Sequence, residues 1–198
     1  MGKKAEETSR YIVNKVAPLF NKKGYHGTSM QDIVSATGLT KGAIYGNFKN
    51  KEELAIAAFN ASIKSILSSI GESMLDCSNA HEKLYAITSF YSNYVDKTKH
   101  HGGCAILNKG LNTDYQQTAL SMRVRDIVSK LTSNISNIIE EGKNDGSISK
   151  NIKSEIMAGR IYSMLNGGVY MSGLLNDQMY LDDIIQQVNQ IIDDMKAE

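Results

Sequence analysis

The chain has 198 residues, room for one large domain or for a small and a medium one. With 41% hydrophobic and 22% charged residues it has an ordinary globular composition. It shows neither the run of about eighteen apolar residues that spans a bilayer nor, behind the basic start MGKKAEETSR, the apolar stretch of a secretion signal. The net charge of +1 hides an asymmetry, with nine Lys/Arg against five Asp/Glu in residues 1–60 and thirteen against sixteen in the rest. A basic end on a slightly acidic body suits contact with nucleic acid through the N-terminus. Cys77 and Cys104 lie far apart and form no paired motif, so they are expected as free thiols of a cytoplasmic protein without a membrane partner.

A single proline, scattered glycines and helical-period patterning predict an all-α chain. The first helix is expected over about 4–23, where Ile12, Val16, Leu19 and Phe20 share one face. Pro18 removes a hydrogen bond to Asn14 and should kink it, and Gly24 should end it. Thr28 with Gln31, or Ser29 with Asp32, can then start a short helix that carries Ile33 and Val34 and stops near Thr37-Gly38. The next start signal, Thr40, follows almost at once, with Leu39 and Ile44 at the spacing of a hydrophobic staple, and this helix is expected to reach Phe48. Asn50 and Glu53 cap the one after it. Two short helices joined by a tight glycine-containing turn, over about 29–48, make a helix-turn-helix whose second member reads the major groove.

Beyond it, helices are expected over about 51–75, 80–99, 104–112, 115–141, 152–175 and 181–196, with breaks at Gly102-Gly103 and at GKNDGS over 142–147. Small residues dot the penultimate helix at Ala158, Gly159, Ser163, Gly167, Gly168, Ser172 and Gly173, and Ile184, Ile185, Val188, Ile191 and Ile192 stripe the last one. His100, His101 and Cys104 are close together but match no zinc-ligand spacing, so no metal site is expected. No nucleophile–base arrangement, paired carboxylates or phosphate loop is present either, so neither a cofactor nor an enzymatic activity is expected.

The stretch TSMQDIVSATGLTKGAIYGNFKNKEEL closely resembles the tetracycline-repressor (TetR) family. The residues that carry the likeness are Gly24-Tyr25 with Thr28-Ser29, then Gly38-Leu39, Thr40-Lys41-Gly42, Tyr45, Phe48 and Lys51-Glu52-Glu53-Leu54. The resemblance covers roughly residues 6–66. It implies a three-helix DNA-binding domain there, followed over 67–198 by a helical bundle for ligand binding and dimerisation. It also implies that Thr28, Thr40, Lys41, Tyr45 and Lys51 contact or neighbour phosphates, which position a protein on the duplex without selecting sequence. Thr40 and Lys41 stand where a helix end offers free N–H groups and partial positive charge. Base readout falls to the exposed face, Lys41, Gly42, Ala43, Gly46 and Asn47, where Lys suits guanine and Asn suits adenine. Many relatives carry a bulky aromatic or His near positions 46 and 47; Gly46 has no side chain here, which leaves fewer direct base contacts.

The family's final two helices form a four-helix dimer interface, which the small residues and the isoleucine stripe fit. A homodimer on a palindromic operator of double-stranded DNA is therefore expected. A pocket for an unknown small-molecule effector is expected among Phe90, Tyr94, Cys104, Leu107, Met122, Tyr162 and Tyr170, with Tyr85, Tyr91, Met164 and Leu165 as neighbours, because Met and Tyr suit an adaptable apolar site. Together these features imply a ligand-responsive regulator, a repressor released from its operator by that effector.

Overall fold

A computed structural model describes residues 3–99, 102–112 and 118–197. Ten helices account for the architecture of these residues, and their one β-type pairing is an isolated antiparallel bridge between Ile148 and Lys196. His100, His101 and Tyr115, the expected start of a long helix, lie outside the described residues.

Helix α1 (Lys3–Lys23) is continuous through Pro18 and buries Ile12, Val16 and Phe20. It ends where Gly24, at φ 73°, turns the chain and donates its N–H to the Phe20 carbonyl. Helix α2 (Met30–Thr37) starts on Ser29. Its hydroxyl accepts from the Asp32 N–H while the Asp32 carboxylate accepts from the Ser29 N–H, so of the two capping pairs expected, Ser29–Asp32 is the one formed. Gly38, at φ 68°, closes α2 and lets α3 (Lys41–Tyr45) start within three residues, capped by Thr40. This reading helix is shorter than its pattern suggests. The Asn47 N–H reaches back only to the Ile44 carbonyl, which tightens the last turn before Phe48 buries itself. Asn50 then caps α4 (Lys51–Ser73).

Helix α4 is long and apolar enough, by length and composition, to cross a membrane. Its N-terminal half nevertheless buries Leu54, Ala55, Ala58, Phe59 and Ile63, and Arg123 Nε donates to its Asn60 at 2.7 Å. The helix expected over 80–99 is split at Asn93, whose φ of −115° leaves the helical range, into α5 (Ala80–Ser92) and α6 (Tyr94–Lys99). Helix α7 (Ala105–Asn112) follows. Helix α8 (Ala119–Asp145) runs past its expected end at 141 through Gly142. There the bare Cα is packed tightly: a Cβ would lie 2.7 Å from Ala80 Cβ and from Ile148 Cδ1, so a glycine expected in a turn serves a close approach instead. Helices α9 (Ser154–Leu175) and α10 (Met179–Asp194) complete the chain.

These elements form two compact units that do not divide the chain at one point. One gathers Met1–Ile66 with Thr98–Arg125, the other Leu67–Lys97 with Asp126–Glu198. In the first, Asn108 Nδ2 donates to the carbonyls of Asn21 and Gly102, which fastens the start of α7 to the end of α1. In the second, α10 packs on α9 and α5: Leu181, Val188 and Ile192 are buried, and Thr88 donates to Asn189 Oδ1 at 2.8 Å.

Candidate functional site

The geometry of the helix-turn-helix follows from how it is tied to α1. Tyr11 Oη donates to the Thr37 carbonyl at the turn, and Lys23 Nζ lies 2.6 Å from Asp32 Oδ1 at the head of α2. The Lys23 ammonium, helped by Ser29, holds the Asp32 carboxyl well below the usual carboxylate range. At the other end Ser9 Oγ donates to Asn47 Oδ1 at 2.9 Å, and Asn47 Nδ2 donates to the Ala43 carbonyl at 2.9 Å. The reading helix is thus held at its end by a side chain expected to read a base. These two bonds compete with an adenine for the Asn47 amide.

What remains outward on α3 is a continuous face: Thr40, Lys41, Gly42, Ala43, Tyr45 and Gly46 are all exposed. Thr40 Oγ1 accepts from the Ala43 N–H at 3.2 Å. Lys41 Nζ stands 5.9 Å from the centroid of the Tyr45 ring, so a cation and a phenol share one side of the helix. The glycines in this region differ in kind. A Cβ on Gly27 would meet the Lys23 carbonyl oxygen at 2.3 Å, so that position is glycine for internal reasons. A Cβ on Gly42 would meet nothing closer than Thr40 Oγ1 at 4.0 Å, and one on Gly46 only ordinary contacts at 3.4 Å or more, with φ −69°. Among the described residues nothing requires those two glycines, although Gly42, inside the helix, costs it up to about 1 kcal/mol relative to alanine.

Thr28 and Lys51 are placed differently from the other expected contacts. Thr28 is fully buried and its hydroxyl donates to the Gly24 carbonyl at 2.7 Å, so its side chain is committed inside. Lys51 Nζ donates to the carbonyls of Tyr25 and Thr28, both at 3.0 Å, and lies 4.4 Å from the Tyr25 ring centroid. One of its three N–H donors is left for an outside acceptor. Burial, then the nearby Glu52 carboxylate, push the Tyr25 hydroxyl above its ordinary value, so it remains a neutral platform under that ammonium.

In the second unit a cavity of about 160 Å³ lies between the C-terminal half of α4 (Leu67, Ile70, Gly71) with Met74 in the turn just past it, α5 (Ile87, Tyr91), α8 (Leu131, Asn134, Ile135, Ile138) and α9 (Tyr162, Leu165). Of the residues expected in a pocket, Tyr162 borders this cavity, together with its neighbours Tyr91 and Leu165. Phe90 and Tyr94 do not line it. They pack with Tyr91 as an aromatic triple, with ring centroids 5.3–5.6 Å apart. Met122 and Tyr170 are exposed on the outer faces of their helices, Cys104 is buried and Leu107 half-buried in the first unit. Helical period groups side chains on a face but does not say which face turns inward. The wall from α4 and α8 was missed for a related reason: Leu67, Ile70, Leu131 and Ile135 read as ordinary core, and only the gap between helices distinguishes them.

The outer face of α9 carries Ile156, Arg160, Ser163, Gly167, Tyr170, Met171 and Leu174, opposite the buried Ala158, Ile161, Leu165, Val169 and Ser172. Ile156 and Leu174 are 59% and 62% exposed, and Met179 at the start of α10 is 61% exposed. Ile156, Tyr170, Met171 and Leu174 thus leave an apolar outward face uncovered within the chain.

Comparison with known proteins agrees with this arrangement. The bacterial regulatory proteins of the tetR family match residues 12–58, and a tetracyclin repressor-like C-terminal domain matches residues 80–188. The crystal structure of a TetR-family transcriptional regulator from Cytophaga hutchinsonii superposes with a TM-score of 0.93 at 28% identity, over 100% of this chain and 99% of that one. The fatty acid metabolism regulator protein of Bacillus subtilis is 22% identical over 92% of this chain and 90% of its own length. The HTH-type transcriptional repressor DhaR of a Mycobacterium species is 20% identical over 90% of this chain and 89% of its own. With both regions of the family matched in order and the fold shared from end to end, this chain belongs to the TetR family and is a DNA-binding transcriptional regulator.

Proposed function

We propose that this protein is a homodimeric repressor that reads a palindromic operator with α3 and leaves it when a small molecule enters the α4–α5–α8–α9 cavity. The observation that carries the reading is the exposed face of α3, where Gly42 and Gly46 have no internal reason to be glycine. A groove wall lying against them supplies one. Thr40, Lys41 and Tyr45 are positioned to meet phosphates, and Lys51 adds its remaining N–H. Ala43 suits a thymine methyl, and Lys41 is the side chain free to reach a guanine edge. Asn47 serves by holding the end of α3, and Thr28 by bracing the turn between α1 and α2. With so few side chains for direct readout, sequence selection depends heavily on groove width and deformability.

Dimerisation follows from the uncovered apolar face of α9 and the exposed start of α10, since a five-residue reading helix touches too little DNA alone. Repression is the sign the name of the Mycobacterium relative carries. Release follows if the effector binds more tightly to the form whose reading helices are misplaced for the groove. Helix α4 supports this coupling, because one continuous helix carries cavity-lining Leu67, Ile70 and Gly71 and, earlier, the buried Leu54, Ala58 and Phe59. We place it in the cytoplasm, where its DNA is.

The test is selection of bound duplexes from a random pool, followed by fluorescence anisotropy on the selected sequence across a salt series. An inverted repeat and a log–log salt slope of about −0.9 per phosphate contacted are expected. Binding insensitive to salt, or a recovered sequence without two-fold symmetry, overturns the reading.

A further inference from the structure

The cavity of the second unit differs from a general hydrophobic gap in size and in what its wall lacks. Its volume is about 160 Å³, close to the roughly 150 Å³ apolar cavity known to admit benzene. Its described lining contains no Lys, Arg, His, Asp or Glu; the polar groups these side chains carry are the Asn134 amide and the phenols of Tyr91 and Tyr162. Asn134 is exposed and the two tyrosines are buried, so the polar character runs from the rim on α8 to the depth on α5 and α9.

Building on the proposed sensor function, we infer that the effector is a neutral molecule of one ring or a comparably short chain, bearing one hydrogen-bonding group. Volume sets the size: one ring fills the space, and a second ring or a long acyl chain would have to project past the rim at Asn134 or displace the wall. Charge sets the class. A carboxylate, phosphate or ammonium entering this site loses its hydration and meets no opposite charge, whereas a hydroxyl or carbonyl needs only one partner among an amide and two phenols. Met74 on the wall, unbranched and flexible, accommodates small differences of ring substitution.

Three probes with one ring and three charges test the class on the full-length protein without DNA. Benzyl alcohol, benzoate and benzylamine are titrated at pH 7.5 by calorimetry, alongside decanoate, with methyl-labelled protein observed by NMR. Benzyl alcohol is expected to bind about tenfold or more tightly than either charged analogue and than decanoate. It should move the methyl signals of Ile87, Ile135, Ile138 and Leu165 while leaving Ile156 and Leu174, on the outer face of α9, in place. Asn134→Lys, at an exposed position the fold tolerates, should reverse the order and favour benzoate. Benzoate or decanoate binding the unaltered protein as tightly as benzyl alcohol, shifts confined to other methyls, or no binding by any probe up to about 10 mM would each overturn the inference. The sensor reading is judged separately, by whether a bound probe lowers affinity for the selected operator. A charged ligand that released DNA would sink the class and spare the sensor; a neutral ligand that bound without effect on DNA would do the reverse.

Discussion

Gly27 and Gly42 show how one residue type carries two kinds of information. At Gly27 a methyl group would be driven to 2.3 Å from the Lys23 carbonyl oxygen, so Gly27→Ala should destabilise the protein by about 1–3 kcal/mol in thermal or urea unfolding. At Gly42 the same methyl enters open space, so Gly42→Ala should leave stability unchanged or raise it by up to about 1 kcal/mol. DNA affinity should nevertheless fall about tenfold or more, because the methyl lies where the groove wall would be. A Gly42→Ala protein that bound the operator normally would remove the main support for close backbone approach. Asn47 divides structure from recognition in the same way. If its amide holds the end of α3, Ser9→Ala and Asn47→Ala should weaken binding to all duplexes in similar proportion, since each removes the Ser9–Asn47 bond. A change of sequence preference with Asn47→Ala alone would instead make Asn47 a base reader.

Among the helices, the start of α2 is the most exposed to acid. Asp32 closes the capping box with Ser29 and faces Lys23, and its carboxyl is held below the ordinary value of 3.8. A depressed folded-state pKa means that the unfolded chain binds the proton more readily, so stability rises with pH through this range. The contribution is complete above the ordinary value and is lost as pH falls below it toward the depressed one. Asp32→Asn should lower the melting temperature at pH 7 and flatten its decline as pH falls below about 4, relative to the unaltered protein. An unchanged acid limb would show that the capping box contributes nothing measurable. This element was legible in the sequence because caps and turn glycine are local signals: Ser29, Thr40 and Gly38 all fall at the positions their chemistry demands. The break at Asn93 and the extension of α8 through Gly142 were not. One depends on a single backbone torsion, the other on Ala80 and Ile148, which are distant in sequence and press on the same Cα. The cavity was hidden for a similar reason, since its wall reads as core until the helices are placed around it.

Across the whole molecule, the outer face of α9 asks for a partner. Ile156 and Leu174 lie five helical turns apart on one line, with Gly167 between them and no side chain there to hold a neighbouring helix away. A second copy related by two-fold symmetry would lay the same face against itself, burying both apolar ends and closing the assembly without exposed edges. The operator then needs two half-sites, and each reading helix contributes to one binding event at the high effective concentration set by the other. Leu174→Asp places a carboxylate at a position that such a dimer would cover, where it must be desolvated without a partner. Its dimer dissociation constant should rise at least about 100-fold, which is near 2.7 kcal/mol, while the monomer, in which Leu174 is already exposed, keeps its circular dichroism spectrum and melting behaviour at high dilution. Operator affinity at nanomolar protein should fall with dimer population and recover as protein concentration is raised. Light scattering distinguishes the outcomes: a Leu174→Asp protein that remains a dimer at micromolar concentration would move the interface away from this face, even if DNA binding had weakened.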